Sequence, residues 1–254
     1  MGTLDNRTIV VTGAARGLGF AIARRLGADG ATLWLADVSV DRGREAAAKL
    51  VADGLTAQFV RVDLADADSV DEMAARVTAD GPLYGLVNNA ALADGVGGKA
   101  IHELAIADWD RVMNVNLRGT FLVSRALVPS IIEYSETHRT GRVVTIGSDA
   151  ALYGSPKLSH YIASKGGVAA LARTMARDLG SYGITVNTVS PGLTESESAQ
   201  HVPQHRHDLY RLNRALGRAQ QPADLVGAVA FLMGDEASYI TGQELAVNGG
   251  FVLH

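Results

Sequence analysis

The sequence of 254 residues contains no cysteine. This absence excludes disulfide bonds, thiolate nucleophiles and zinc sites that need cysteine ligands. Proline is also scarce, at 6 residues, and no low-complexity stretch interrupts the chain. With a hydrophobic content of 47%, residues 1–254 therefore suit one domain that buries a substantial core.

The chain also lacks an excess of positive charge. Its formal net charge is −4 at pH 7, and without a cluster of lysine and arginine there is no electrostatic basis for binding nucleic acid. The first residues lack a basic segment followed by an apolar one, and no apolar run approaches the ~20 residues that span a membrane. We therefore expect a cytoplasmic protein that binds neither nucleic acid nor membranes.

The chain does contain a regular alternation of strand-like and helical segments. Apolar, β-branched runs predict strands at residues 7–12, 31–36, 57–62, 83–88, 141–147, 184–190 and 243–248. Helical spacing of apolar residues predicts helices at residues 17–28, 41–53, 68–79, 108–135, 159–181 and 222–234. This alternation predicts an α/β fold, namely a single-domain, Rossmann-like, doubly wound parallel sheet of about seven strands with helices on both faces.

A glycine-rich turn, T-G-A-A-R-G-L-G, joins the first predicted strand to the first predicted helix. Gly13, Gly17 and Gly19 lie where this junction needs permissive dihedral angles and a close approach of the backbone. A turn of this kind directs helix N–H groups and the positive end of the helix dipole towards a pyrophosphate. Because glycines also occur in such turns for steric reasons alone, a dinucleotide site needs support from other residues.

Asp37 supplies that support, because it ends the second predicted strand, eighteen residues after Gly19. A dinucleotide-binding βαβ unit has an acid near this point that accepts hydrogen bonds from the adenosine ribose. A carboxylate there repels a 2′-phosphate, so the sequence favours NAD over NADP. Arg16, a cation inside the glycine turn, would partly offset this repulsion. The alternative interpretation of Asp37 is an ordinary turn residue.

Tyr161 and Lys165 are four positions apart in the run S-H-Y-I-A-S-K, and Ser148 precedes Tyr161 by thirteen residues. On a helix, residues at i and i+4 share one face, so the Lys165 ammonium lies one turn from the Tyr161 phenol. A nearby cation favours phenolate, which a phenol with a pKa near ~10 needs in order to exchange protons around neutral pH. Singly, each residue also has an ordinary structural explanation as a cap, a core residue or a surface residue.

Together with N-N-A at 88–90, N-V-N at 114–116 and P-G at 191–192, these motifs resemble those of the short-chain dehydrogenase/reductase family. The resemblance covers nearly the whole chain, and the order and separation of the motifs make it specific. It implies an NAD(P)-dependent oxidoreductase that acts on a CH–OH group, with the redox chemistry supplied by the cofactor.

The resemblance assigns catalytic roles to Asn116, Ser148, Tyr161 and Lys165. It makes Tyr161 the general acid/base, whose pKa Lys165 lowers while also reaching the nicotinamide ribose. In the same way, Ser148 holds the substrate oxygen. Asn116 matches a residue that interrupts a helix and supports a water connecting Lys165 to solvent.

The resemblance also assigns the contacts with the cofactor. They are Gly13, Arg16, Gly17, Leu18, Gly19, Asp37, Asp63, Leu64, Asn89, Ala90, Tyr161, Lys165, Pro191, Gly192, Thr194 and Ser196. Ser196 stands where the family more often has threonine, so the hydroxyl is kept. Its side chain and the Thr194 backbone are expected to hold the nicotinamide carboxamide.

The expected substrate contacts are Ser148, Leu152, Tyr153, His160 and Leu193. The expected wall also includes Asp149, Ala151 and part of the loop from Leu92 to Val96. Because this wall is mostly apolar, we expect a small or medium, mostly uncharged alcohol, secondary, cyclic or ring-adjacent, that is interconverted with its carbonyl by hydride transfer. An NADPH-dependent carbonyl reductase is the alternative within the same chemistry, and a non-catalytic nucleotide-binding protein is the alternative outside it. A serine hydrolase is not indicated, since neither I-G-S-D-A nor Y-G-S-P-K matches G-x-S-x-G.

Residues 195–213 form a polar segment that resembles the family's mobile substrate lid. We expect this segment to become ordered when cofactor and substrate are both bound. It contains His201, His205 and His207, which raise the question of a metal site. No metal is predicted, because Pro203 interrupts the first interval and the last two histidines do not share a helical face.

The predicted helices at 108–135 and 159–181 resemble the family's subunit interface. Small residues on the second helix would allow close helix packing: Gly166, Gly167, Ala169, Ala170 and Ala172. We therefore expect a homotetramer, with a dimer as the alternative.

Overall fold

The computed structural model describes residues 2–253, apart from the side chains of Ser198 and His201. Parallel strands form the centre of the fold. They are β1 (Thr8–Thr12), β2 (Thr32–Asp37), β3 (Ala57–Arg61), β4 (Gly85–Asn88), β5 (Gly141–Ile146), β6 (Ile184–Pro191) and β7 (Glu244–Val247). They make one seven-stranded sheet in the order β3-β2-β1-β4-β5-β6-β7, and each neighbouring pair is parallel.

α-Helices connect the strands and cover the sheet. They are α1 (Gly17–Ala28), α2 (Val40–Ala52), α3 (Ala67–Thr78), α4 (Ile106–Met113), α5 (Gly119–His138), α6 (Asp149–Tyr153), α7 (Ser159–Leu179), α8 (Gln204–Asn213) and α9 (Ala223–Met233). A π-helical segment, Asn114–Arg118, joins α4 directly to α5. Within residues 2–253, no helix combines the length and the apolar character that crossing a membrane requires.

The strands pack on two faces, because successive side chains along a strand point in opposite directions. On one face, Ile9, Val11 and Leu35 pack with α1, α2 and α9. On the other face, Val10 and Trp34 pack with α3, α5 and α7. Because helices cover both faces of the sheet, apolar residues occupy consecutive positions along the strands instead of alternating with polar ones. The predicted single-domain, doubly wound parallel sheet is confirmed.

The helices differ from the sequence prediction at three places. The single helix predicted at 108–135 is two α-helices with the π-helical segment between them, so the helix is interrupted at Asn116 as the resemblance implied. Sequence periodicity missed α6 and α8. The first has only five residues, and the second is mostly polar, so neither gives a clear apolar repeat.

The small residues of α7 do not all lie on one surface. Ala169 and Ala172 are buried inside the chain, so these two residues cannot pack against another subunit as expected. Gly166 and Ala170 are exposed. The difference follows from the helical repeat, since residues three or four apart share a face whereas near neighbours do not.

A buried hydroxyl ties the sheet together where the chain order reverses between β1 and β4. The Thr12 Oγ1 accepts hydrogen bonds from the Asn89 N–H at 3.0 Å and the Ala90 N–H at 3.1 Å, and it donates to the Val87 carbonyl at 3.4 Å. Thr12 is 1% exposed, so water cannot replace these bonds. In doubly wound sheets, ligands bind at this switch point, and the Thr12 hydroxyl therefore fixes the floor of a binding cleft.

We expect Thr12→Val to lower the free energy of unfolding by about 2–4 kcal/mol, because two partly buried N–H groups lose their acceptor at about 1–2 kcal/mol each, the lower part of the range for a buried donor. Denaturant unfolding at one fixed protein concentration measures the change. Thr12→Ser keeps the hydroxyl and is the matched control, for which we expect a loss of about 1 kcal/mol or less. Equal losses in the two variants would show that the hydroxyl is not responsible.

Candidate active site

The carboxyl ends of the central strands open into a cleft of about 930 Å³. Such an edge is where doubly wound sheets bind their ligands. All of the predicted cofactor contacts lie in its wall, together with two of the predicted substrate contacts. These residues are Gly13, Arg16, Gly17, Leu18, Gly19, Asp37, Asp63, Leu64, Asn89, Ala90, Ser148, Tyr161, Lys165, Pro191, Gly192, Leu193, Thr194 and Ser196.

The glycine turn has the conformation that its sequence predicts. Gly13 and Gly17 adopt positive φ angles of 65° and 56°. At Gly19, a β-carbon would lie 2.1 Å from the Gly13 carbonyl oxygen, so no larger residue fits there. The Asn89 side-chain amide donates to the Thr12 carbonyl at 2.9 Å and to the Gly13 carbonyl at 3.1 Å. This turn leads into the N-terminus of α1, an arrangement that binds phosphate groups.

Asp37 lies at the tip of β2 in the cleft wall. Its Oδ2 accepts a hydrogen bond from the Ala15 N–H in the glycine turn at 3.1 Å, and its Oδ1 accepts from the Ser39 N–H at 3.0 Å. The second bond is the one expected of an ordinary turn residue, and the first connects Asp37 to the turn that would hold a pyrophosphate. A carboxylate oxygen accepts more than one hydrogen bond, so both atoms keep acceptor capacity for a ligand.

Arg16 is held by carboxylates on two other walls of the cleft. Its guanidinium donates to Asp94 at 2.6 Å and to Glu197 at 3.2 Å, and Arg42 also lies 3.6 Å from Glu197. The hydrogen bond to Asp94 raises the pKa of Arg16 above its ordinary value. Arg16 therefore links the glycine turn to the loop after β4 and to the 195–213 segment.

Ser148, Tyr161 and Lys165 come together in the cleft from two helices. Ser148 is the N-cap of α6, and its Oγ accepts a hydrogen bond from the Ala150 N–H at 3.2 Å. Tyr161 and Lys165 lie one turn apart on α7, with the Lys165 Nζ 6.0 Å from the centre of the Tyr161 ring. The Lys165 Nζ donates to the Ile146 carbonyl at 2.7 Å.

The pKa values of Tyr161 and Lys165 differ from the sequence expectation. Burial raises the pKa of Tyr161 to about 12, and the hydrogen bond with Ser148 opposes this shift. Burial also lowers the pKa of Lys165 to about 8. The expectation that Lys165 brings the pKa of Tyr161 below its ordinary value is therefore wrong for the protein alone. Burial of the phenol is the largest cause of its raised pKa, the nearby Asp149 charge adds to the shift, and the Ser148 hydrogen bond offsets only part of it.

Asn116 lies behind the cleft wall rather than in it. This residue is 1% exposed, and its Oδ1 accepts a hydrogen bond from the Leu92 N–H at 2.7 Å. Its Nδ2 donates to the Leu92 carbonyl at 3.2 Å and to the Ser164 Oγ at 3.1 Å. The Ser164 Oγ in turn donates to the Tyr161 carbonyl at 2.7 Å. Asn116 thus connects the loop after β4 to the helix that carries Tyr161.

Sequence reasoning missed Ser164, which is completely buried. A signal was available, because a serine three positions after Tyr161 on a helix can donate back to the Tyr161 carbonyl.

Three of the five expected substrate contacts do not line the cleft: Leu152, Tyr153 and His160. The reason for His160 is helical geometry, since adjacent residues on a helix point about 100° apart and Tyr161 takes the direction of the cleft. His160 is buried towards α4, and this burial lowers its pKa. Tyr153 turns towards α8, where its OH accepts a hydrogen bond from Arg206 at 2.8 Å.

The 195–213 segment folds into a 3₁₀-helix, Glu197–His201, followed by α8, and it borders the cleft. The Tyr210 OH on α8 donates to the Asp149 Oδ1 on α6 at 2.6 Å. The Tyr210 ring also stacks on Phe251, with ring centres 4.2 Å apart. Hydrogen bonds and aromatic packing thus join this segment to α6 and to the C-terminal residues.

The two histidines of this segment whose side chains the structure describes, His205 and His207, lie in different environments. The His201 side chain is outside the described residues. His205 lines the cleft, whereas His207 contacts the Glu195 carboxylate at 3.4 Å. Among the side chains that the structure describes, no three His, Asp or Glu groups are arranged to hold a metal ion.

Asp149, which was expected in the wall beside Ser148, does line the cleft. It is 1% exposed, and burial raises the pKa of its carboxyl group to about 6, although the Tyr210 hydrogen bond opposes the shift. Its Oδ2 accepts no hydrogen bond from the described residues. The only sequence signal is its position directly after Ser148.

Comparison with known proteins agrees with this geometry. A family model described as enoyl-(acyl carrier protein) reductase matches residues 13–252. The chain is 36% identical to 2-(S)-hydroxypropyl-CoM dehydrogenase 3 of Xanthobacter autotrophicus, with 97% of each chain covered. It is 33% identical to cyclopentanol dehydrogenase of a Comamonas species, with 99% of each chain covered.

A solved structure from Beutenbergia cavernae has the same fold. It is provisionally described as an NAD(P)-dependent gluconate 5-dehydrogenase and holds NADP at low occupancy. It is 33% identical to this chain with a TM-score of 0.89, and 98% of this chain and 97% of that one are covered. The family match, the full-length relatives and the shared fold lead to one conclusion. The chain belongs to the short-chain dehydrogenase/reductase family, as an oxidoreductase of CH–OH groups with a nicotinamide dinucleotide as cofactor.

Proposed function

We propose that the protein is an NAD-dependent dehydrogenase that interconverts secondary alcohols and their carbonyl compounds. The observation that carries this proposal is the meeting of Ser148, Tyr161 and Lys165 in the cleft that also contains the glycine turn and Asp37. A protein that only bound nucleotide would need the turn and the acid but not the three polar side chains beside them. Their presence together favours catalysis over nucleotide sensing.

Tyr161 acts in this proposal as the general acid/base. Its phenol exchanges a proton with the substrate hydroxyl, while the Ser148 Oγ holds the same substrate oxygen. A nicotinamide cofactor, held by the glycine turn and Asp37, would supply the hydride chemistry when bound, and the protein orients the reacting groups. With a pKa of about 12, the Tyr161 phenol is protonated at neutral pH, so release of its proton needs a stabilising positive charge.

Lys165 supplies that charge. Its ammonium is 4% exposed and is held by a carbonyl rather than by a carboxylate, so its charge remains available to a phenolate and to ribose hydroxyls. Asn116 contributes by position, because it fixes both the loop at Leu92 and Ser164, which in turn holds the Tyr161 backbone.

We propose NAD rather than NADP as the cofactor. Asp37 brings a carboxylate to the end of the cleft where the adenosine ribose would lie. Arg16 is the cation best placed to bind a 2′-phosphate, but Asp94 and Glu197 already neutralise it. An NADPH-dependent carbonyl reductase is the second candidate, because a relative with the same fold was solved with NADP.

The substrate is proposed to be a small or medium alcohol with an apolar carbon skeleton next to its hydroxyl. Apolar side chains from four loops and helices line this part of the cleft: Leu92, Val96, Leu158, Leu193 and Leu209. Hydroxypropyl-CoM, cyclopentanol and gluconate appear in the names of the similar proteins, so these names do not single out one substrate.

Two further features belong to the proposal. The 195–213 segment would act as a lid that becomes ordered over bound cofactor and substrate, since its 3₁₀-helix and α8 border the cleft. The chain would assemble as a homotetramer, with a dimer as the alternative. Exposed apolar side chains on α4 and α5, Trp109 and Phe121, support an interface there.

The first prediction concerns Tyr161→Phe, which removes the proposed acid/base and keeps the ring. We expect kcat to fall by about 10²- to 10⁴-fold while the Kd for NAD stays about the same, because the hydroxyl acts in proton transfer. Reduced-nicotinamide absorbance with secondary, cyclic, aryl-alkyl and sugar alcohols measures turnover, and calorimetry measures NAD binding. The control is Tyr239→Phe, at a fully exposed tyrosine. Full activity in Tyr161→Phe would refute the proposed role.

The second prediction concerns the choice of cofactor. We expect Asp37→Ala to reduce the ratio of kcat/KM for NAD to kcat/KM for NADP by about 10- to 100-fold, because it removes the charge that repels a 2′-phosphate. Initial rates with each cofactor at a fixed alcohol concentration give this ratio. Asp71→Ala, at an exposed residue of α3, is the matched control and should leave the ratio unchanged. A wild-type enzyme that prefers NADP would contradict the assignment directly.

The third prediction follows from the burial of Lys165. Because its pKa is lowered from 10.5 to about 8, the folded state binds this proton less tightly than the unfolded state does. Stability is therefore reduced at pH values below 8, and the reduction disappears as pH rises from about 8 to about 10.5. We expect Lys165→Met to raise the free energy of unfolding at pH 7 by about 2–3 kcal/mol, with loss of activity.

Denaturant unfolding of the cofactor-free protein at several pH values tests this prediction. The difference between Lys165→Met and wild type should shrink between pH 8 and pH 10.5. Lys49→Met, at an exposed lysine of α2, is the control for loss of a lysine side chain and should change the stability at pH 7 by about 1 kcal/mol or less. If Lys165→Met has a lower free energy of unfolding than wild type at pH 7, burial of the ammonium does not destabilise the folded state, and the prediction is wrong.

A further inference from the structure

Arg206 is a guanidinium in the cleft wall that has only neutral hydrogen-bond partners. It lies on α8, and it donates to the Tyr153 OH at 2.8 Å and to the Ser155 Oγ. Within the described part of the chain, no carboxylate comes within the 4.0 Å of an ion pair with Arg206. A guanidinium has five N–H donors, so these two bonds hold the group in place and leave donors for a ligand.

The two arginines in the described lining of the cleft differ in whether a carboxylate pairs with them. Arg16, near the glycine turn, is neutralised by Asp94 and Glu197. Arg206, on the lid side, has no such partner, and Lys157 also lines the cleft close to Ser155 in sequence. Apart from Lys165, which the proposed mechanism uses, the positive charge that remains available in the described lining is at the end of the cleft next to α8.

Asp149 is linked to Arg206 through tyrosine hydroxyl groups, but it does not neutralise the Arg206 charge by a direct ion pair. Asp149 accepts its hydrogen bond from the Tyr210 OH, and the Tyr210 OH lies 3.4 Å from the Tyr153 OH that Arg206 contacts. Burial raises the pKa of Asp149, and the positive charges of Arg214 and Arg206 are among the interactions that oppose this shift. Asp149 is 1% exposed and lines the cleft beside Ser148, and its carboxylate is held by the Tyr210 hydroxyl rather than by an ion pair with Arg206.

We propose that the substrate is an alcohol whose far end carries a carboxylate, and that Arg206 binds this carboxylate. The assignment rests on the proposed dehydrogenase function and specifies its substrate class. The planar guanidinium matches the two oxygens of a carboxylate, and Tyr153 and Ser155 orient it before the substrate arrives. Lys157, which is exposed at the cleft, adds positive potential that attracts an anion.

This substrate class differs from the mostly uncharged alcohol expected from the sequence. That expectation used a wall made of residues near Ser148 and Tyr161 and did not include α8. The apolar lining at Leu193 and Leu209 then receives the carbon chain between the reacting hydroxyl and the carboxylate.

The test compares methyl carbinols of increasing chain length that end in a carboxylate with the corresponding primary amides. The amide has nearly the same shape but no charge, so the ratio of kcat/KM for acid to that for amide isolates the anionic group. We expect wild type to prefer the acid of the best-fitting length by about 10- to 100-fold, mainly through KM, because the carboxylate does not react.

Arg206→Gln should reduce this ratio to about one, with kcat/KM for the amide nearly unchanged, and Arg206→Lys should retain part of the preference. Arg211→Gln is the control, because Arg211 is an exposed residue of the same helix that pairs with Asp208. Equal losses for acid and amide in Arg206→Gln would mean that Arg206 only anchors α8, and the proposal would be wrong.

The result with wild type also distinguishes the proposed carboxylate site at Arg206 from the proposed dehydrogenase function on which it rests. If the amides are oxidised and no acid is preferred, the anion site is refuted while the dehydrogenase assignment stands. If neither this series nor the broader panel of alcohols is oxidised with NAD or NADP, both proposals are refuted.

Discussion

The hydrogen bonds that join the ends of β1 and β4 are the constraint on which the rest of the site depends. The Thr12 hydroxyl holds the backbone after β4, and the Asn89 amide holds the carbonyl groups that begin the glycine turn. These bonds fix the turn at the point where the strand order reverses and a ligand can reach the edge of the sheet. Because the contact with Gly19 leaves no room for a side chain, the position of the α1 N-terminus is set by the same junction.

The cleft also contains two buried ionisable groups, Lys165 and Asp149, whose burial does not stabilise the fold. Lys165 has a carbonyl as its partner, and Asp149 has one oxygen without a hydrogen bond from the described residues. Burying a charged group costs free energy, so burial favours the neutral form of each group. It therefore lowers the pKa of Lys165 and raises the pKa of Asp149. Groups of this kind are common at functional sites, where an unpaired charge is kept available for a ligand or a transition state.

The sequence predicted the sheet and the cofactor side of the cleft well, because those features depend on short segments. A strand is recognised from a few adjacent residues, and Gly13, Gly17 and Asp37 follow the ends of strands at characteristic distances. The substrate side was predicted poorly. Leu152, Tyr153 and His160 are close to Ser148 and Tyr161 in sequence, but the turns of α6 and α7 direct them away from the cleft. Arg206 and Asp94 come from distant segments, and no local pattern identifies them.

The sequence by itself therefore determined the alternation of strands and helices, the glycine turn and the one-turn separation of Tyr161 and Lys165, since each depends on local spacing, and the order of these motifs identified the family. Only the tertiary structure decided which charges are neutralised. Arg16 is paired across the cleft with Asp94 and Glu197, whereas Arg206 is held by hydroxyl groups. The physical reason is that electrostatic interactions depend on distance and burial in three dimensions, and residues far apart in the chain supply the partners.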